Sequence, residues 1–231
     1  MKYLLLLIVW PVLLNCTQEK SKERPGVRQP ASATTAATAT NYDSCKNVIR
    51  LIRQKQKPLW AKNSLSAKEK IFTSAVTETI IPAWIGTSWN FNGTSEAPQQ
   101  GSIACGYFVT TVLRDAGVPL ARVKLAQCAS EQMIMSLVQA KYIRRYSQVT
   151  MTKFIESVQD QGYGLYIVGL DNHTGFIYND GNDIYFIHST FAGTKDVQKE
   201  RAAASWILDR SKYKVLGKIS ADEKLLAKWI S

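Results

Sequence analysis

The turn Asn179-Asp180-Gly181-Asn182 joins two apolar runs, HTGFIYN and NDIYFIHS, that read as neighbouring antiparallel strands. Asp-Gly is a strong signal for a two-residue hairpin loop. With Asp180 and Gly181 as that loop, Asn179 faces Asn182, and the same register sets His173 opposite His188. These are the only two histidines in the chain. Directly paired residues share a face of the sheet with Cβ atoms roughly 4.5 to 5.5 Å apart. A slip of one residue would put the two rings on opposite faces, so the turn decides whether they can meet.

GLYIVGL before this hairpin and KYKVLGKI after it read as two further strands. The amino-terminal half is helical by contrast. YDSCKNVIRLIRQKQ places Cys45, Val48, Ile49 and Ile52 at helical spacing, and SAKEKIFTSAVTETII follows, with Ser66 and Glu69 as a capping box and Pro82 as its stop. A loop rich in Gly, Ser and Asn carries Trp84, Trp89 and Phe91, either as cleft walls or as packing. From residue 103 a helix presents Cys105, Phe108, Val109, Val112 and Ala116 on one face and stops at Gly117. Further helices are expected in ASEQMIMSLVQA, TMTKFIESVQDQ and the terminal ADEKLLAKWI. Helices first and a strand meander afterwards indicate an α+β fold with an antiparallel sheet. With 45% hydrophobic residues in 231, the chain can bury one sizeable core.

The start, MKYLLLLIVWPVLLNC, has one lysine and then an apolar run from Tyr3 to Leu14, too short to span a bilayer, and reads as an export signal. Leu13-Leu14-Asn15-Cys16 resembles the lipobox of bacterial lipoproteins, which implies lipidation of Cys16. An uncleaved anchor and a plain secretory signal are the alternatives, and all three place the domain outside the cytoplasm. Residues 17–40 are charged and then almost purely Ala, Ser and Thr, a disordered tether that reaches about 25 to 30 Å on average. The expected location is the cell envelope, at the outer membrane or its periplasmic face. The formal charge of +11 falls by one when Lys2 leaves with the signal. Its basic residues are scattered and form no nucleic-acid motif, so a solvated basic surface is expected and nucleic acid is not a partner.

Of four cysteines, three remain if Cys16 carries lipid. An odd number in an oxidising compartment leaves one thiol free, and a Cys45–Cys128 bridge is open to either outcome. Cys105 sits where a Gly-Ser segment turns into a helix. Unpaired amides and the helix dipole there favour thiolate, and a nearby imidazolium favours it further. Two paired imidazoles supply what such a nucleophile needs, a base and a partner that orients it. The alternatives are a small buried thiol beside satisfied histidines, or a zinc set of Cys105, His173 and His188.

Three blocks resemble the NlpC-type, papain-like cell-wall cysteine peptidases. Trp89-Asn90-Phe91-Asn92-Gly93-Thr94-Ser95 is similar to the family's aromatic-x-aromatic-Gly-Gly-Thr-Ser loop. Ala104-Cys105-Gly106-Tyr107-Phe108-Val109 is similar to its Asp-Cys-Ser-Gly-Phe-Val helix start. His173-Thr174-Gly175-Phe176-Ile177-Tyr178 and Phe186-Ile187-His188-Ser189 resemble His-Val-Gly-Ile-Tyr and Phe-Ile-His-Ala. The resemblance implies a papain-like fold, with the cysteine helix packed on an antiparallel sheet and extra helices added at 41–85 before a core at 86–231. It implies Cys105 as nucleophile, His173 as general base and acid, and His188 as the orienting third member. Trp89 stands where the family often has a site-lining tyrosine, and Gln99 or Gln100 is placed as the oxyanion-holding glutamine of papain-like enzymes. The implied reaction is amide hydrolysis in peptidoglycan stem peptides, by a monomer without cofactor or metal. Thiol acyl transfer and a non-catalytic envelope-binding lipoprotein are the competing readings.

Overall fold

The computed structural model describes the backbone of residues 32–231 and the side chains from residue 42 on. The expected signal and Cys16 lie outside the described residues. Helix α1 (Ser32–Gln56) begins within the stretch read as tether. It leads through a 3₁₀ turn to α2 (Leu65–Ser74), which widens into a π turn ahead of α3 (Ile81–Trp84). The helix therefore continues through Pro82 instead of stopping there, since a π turn relieves the ring's clash and its missing donor. The cap of α2 is Ser64, whose hydroxyl accepts from the Ala67 amide at 3.2 Å, rather than Ser66. Glu69 turns away from that cap to accept from Ser220 Oγ at 2.8 Å and pair with Lys218 Nζ at 3.0 Å.

After the loop come α4 (Cys105–Asp115), α5 (Arg122–Ala126), α6 (Ser130–Leu137), β1 (Ile143–Ser147), α7 (Met151–Asp160), β2 (Gly164–Leu170), β3 (Thr174–Asn179) and β4 (Ile184–Ser189). β5 (Val197–Arg201), α8 (Trp206–Arg210), β6 (Tyr213–Lys218) and α9 (Glu223–Ile230) complete the chain. The sheet has six strands in the order β1-β6-β2-β3-β4-β5, and every pairing is antiparallel. The expected α+β class holds, with two strands added at the edges. Both additions, IRRYS and VQKER, are short and charged, as edge strands need to be to resist further pairing, and so lack the apolar run by which strands are recognised.

One sheet face carries Leu165, Ile167, Phe176, Ile187 and Val215 against α4, α6 and the terminal helices. The other carries Tyr166, Val168, Ile177, Phe186 and Leu216 against α7 and α8. Trp84 belongs to the first core: it is fully buried, and its indole donates to Tyr42 Oη at 2.8 Å. It ends α3 instead of lying in the expected loop, and its place is in the packing of the core.

Candidate active site

The β3–β4 register differs from the expected one. Tyr178 pairs with Tyr185 and Asn179 with Ile184, a shift of two residues. The reason lies in the turn. Gly181, at φ +99°, takes the first central position with Asn182 beside it, and Asp180 donates its amide to the Asp183 carbonyl at 3.1 Å. Glycine at that position belongs to a type II′ turn, not the I′ turn that Asp-Gly suggests. The Asp180 carboxylate then accepts the amides of Asn182 and Asp183, both at 2.8 Å, which hold its pKa below the usual carboxylate range.

A shift of two preserves the face. His188 lies in register with Gly175 rather than His173, and the imidazoles meet on the diagonal, with His173 Nε2 2.9 Å from His188 Nδ1. Gly175 makes this possible, because a Cβ there would stand 2.8 Å from His188 Cβ and 2.7 Å from the Phe186 ring. His188 stacks on Phe186 with centroids 3.9 Å apart. His173 is placed by a tight turn in which Leu170 donates to its carbonyl at 2.8 Å. Asp171 in that turn accepts the Lys212 and Tyr213 amides at 2.7 and 3.2 Å, and so ties it to β6.

The sequence reading missed a fourth member. Glu200 on β5 places Oε1 3.2 Å from His188 Nε2. Its carboxyl is held below the ordinary range by His188 first and by the Ser205 hydroxyl, against the opposing effect of burial. An ionised carboxylate only accepts, so the His188 proton sits on Nε2 and its Nδ1 accepts from His173 Nε2. Of the two unprotonated nitrogens, His188 Nδ1 is used within the pair and His173 Nδ1 is the one left outside the relay. Zinc ligation by His188 would require a lone pair that this chain already uses.

Cys105 is the first residue of α4, and its N-cap is Ala104, so no side chain competes for the helix's first amides. The preceding segment is pinned by Ser189 Oγ donating to the Ile103 carbonyl at 2.6 Å and by the Ala104 amide donating to Gly93 at 2.8 Å. Gly106 follows because a Cβ there would lie 2.4 Å from the Ala126 carbonyl of α5. Burial raises the thiol pKa, only partly offset by the amides of Thr174, Gly106 and Cys105 itself. His173 is pushed down to about 3 by burial and by His188, and His188 is lowered by burial against the pull of Glu200. Burial thus works against the expected thiolate. Both shifts favour thiol and neutral imidazole as the resting pair.

Cys105 and His173 together line two cavities that meet at them. One, about 670 Å³, is walled by Trp89, Phe91, Tyr107 and Phe191. The other, about 460 Å³, is walled by Ser130, Glu131, Asp171 and Tyr213 among others. Trp89 thus reaches the site, but Gln99 and Gln100 line neither cavity. The Gln99 amide donates to the Ile85 carbonyl at 2.7 Å, and the Gln100 carbonyl accepts from Ser95 Oγ. Cys45 and Cys128 are free thiols, and Cys128 lines the second cavity. No family model, curated protein or solved structure matches the chain, so the functional reading rests on this geometry and on the residues themselves.

Proposed function

We propose that the chain is an exported, membrane-tethered cysteine hydrolase that cleaves an amide bond. The observation that carries this reading is the ordered relay His173–His188–Glu200, whose first ring lines the same cleft as a cysteine at an uncapped helix start. Cys105 Sγ attacks the carbonyl carbon as its proton passes to His173 Nδ1. The oxyanion is held by backbone amides at the start of α4. The C–N bond breaks as His173 returns the proton to the leaving amine, which leaves a thioester on Cys105. Water then adds to the thioester, giving one proton to His173. The carboxylic acid departs, and that proton restores the thiol. Because the resting pair is neutral, His173 acts as a general base during attack and not as the partner of a standing thiolate.

The resemblance of the Cys105 and histidine blocks to NlpC-type peptidases makes peptidoglycan stem peptides the first substrate to try. Purified cell wall incubated with the wild-type chain should yield fragments with new amine and carboxyl ends by mass spectrometry, and Cys105→Ala should yield none. Equal products from both chains would end the reading. Acyl transfer is the second reading, favoured by aromatic walls that keep water from a thioester. An added amine acceptor distinguishes it by trapping the acyl group as a new amide.

A further inference from the structure

The chain has 29 basic and 18 acidic residues, yet among the described residues no lysine or arginine lines either arm of the cleft. The second arm instead carries two carboxylates. Glu131 is paired with Arg145 at 2.6 Å and accepts from Tyr213 Oη at 3.0 Å, and Asp171 is occupied by backbone amides. The first arm is an aromatic wall. Trp89 and Phe191 lie 6.2 Å apart, Phe191 packs edge-on to His173 at 5.6 Å, and Phe91 at the rim is 81% exposed. Arg122 is nearby but unavailable. It is buried, 4.9 Å from the Tyr107 ring centre, and donates to Thr111 and to the Thr94 and Ser95 carbonyls, so that it builds the wall from behind.

Resting on the hydrolase reading, we propose that the cleft selects amides with an uncharged aromatic or aliphatic group on one side of the scissile bond and rejects those with a free carboxylate beside it. A carboxylate brought into either arm would lose water and meet no unpaired cation in the lining, since Arg145 behind the second arm is already paired with Glu131. An apolar ring would cover Trp89 and Phe191 and gain the burial of both surfaces. Stem peptides rich in free carboxylates would therefore be poor substrates, and those in which that charge is masked would be better ones.

The test needs no knowledge of the natural substrate. The full chain is labelled with three chloroacetamides, and Cys105 is located by peptide mapping: the bare reagent, one with a naphthylmethyl arm, and the same arm bearing a carboxylate. The naphthylmethyl reagent should label Cys105 at least about tenfold faster than either of the others. Trp89→Ala or Phe191→Ala should shrink that ratio at least about threefold, with Phe91→Ser at the exposed rim as the variant that cannot fail for want of folding. Equal or faster labelling by the carboxylated reagent overturns the proposal. Bare-reagent labelling that is unchanged in His173→Gln, with the ratio intact, sinks the hydrolase reading and leaves the arm's preference standing. No labelling of Cys105 by any reagent overturns both.

Discussion

At the turn end of the β3–β4 hairpin, the Asp180 carboxylate is satisfied within three residues of chain, while at the open end the two imidazoles are satisfied across strands. Asp180 caps its own turn, and Tyr178 and Tyr185 stack with Lys199 Nζ 4.1 Å from the second ring's centre. At the open end, two imidazoles only 4% and 1% exposed depend on each other and on a carboxylate from the next strand. Local satisfaction stabilises the fold and leaves nothing to react. Long-range satisfaction in a buried setting holds neutral bases in place, and this is what a general base requires.

Breaking the open end should cost chemistry, and breaking the turn end only stability. The largest effect is expected for Cys105→Ala and His173→Ala, each losing about a thousandfold or more in turnover on any amide the wild type cleaves. Gly175→Ala should come next. Its Cβ displaces His188 from the diagonal, which should cost about a hundredfold in turnover and about 2 kcal/mol in a denaturant melt. Glu200→Gln should lose about tenfold to a hundredfold, because an amide nitrogen at that position can donate to His188 Nε2 and reverse the order of protons along the relay. Ring-nitrogen NMR reads the tautomer directly, and Glu200→Asp should keep the wild-type signals.

Acid should separate the ends by stability. Both imidazoles are depressed in the folded chain, His173 to about 3, so from 6.5 down towards that value the unfolded chain binds a proton at His173 that the folded chain does not, and His188 acts in the same direction. Stability therefore falls as pH falls through that window, by about 2.5 kcal/mol between about pH 7 and pH 4.5 from His173, and His173→Gln should flatten this slope. The smallest effect is expected for Asp180→Ala, about 1 kcal/mol from two lost acceptor contacts, with turnover within about twofold of wild type.

What could be read from the sequence follows the same division. The hairpin, the helix opened by Cys105 and the shared face of the histidines rest on local patterns of glycine and apolar spacing, and all three stand in the structure. The register missed by two residues because Gly181 can close an Asp-Gly loop or open a Gly-Asn one, and only the Asp180 carboxylate's hold on Asn182 and Asp183 decides between them. β1 and β5 escaped because a charged edge strand has no apolar alternation to see. Glu200 escaped with β5: one carboxylate in Val-Gln-Lys-Glu-Arg has no motif, and its role exists only once β5 pairs with β4. The state of the thiol depends on burial around Cys105, which balances three amides against desolvation and is not written in any short stretch of residues.

The most direct test is a stopped-flow reaction of the full chain with a p-nitrophenyl ester, followed by intact-mass and peptide mapping of the acid-quenched protein. A burst of nitrophenolate matched by one acyl group on Cys105, slowed about a hundredfold or more in His173→Gln, is the result expected of a general-base thiol site. No burst, acylation on Cys45 or Cys128 instead, or a rate indifferent to His173 would contradict it.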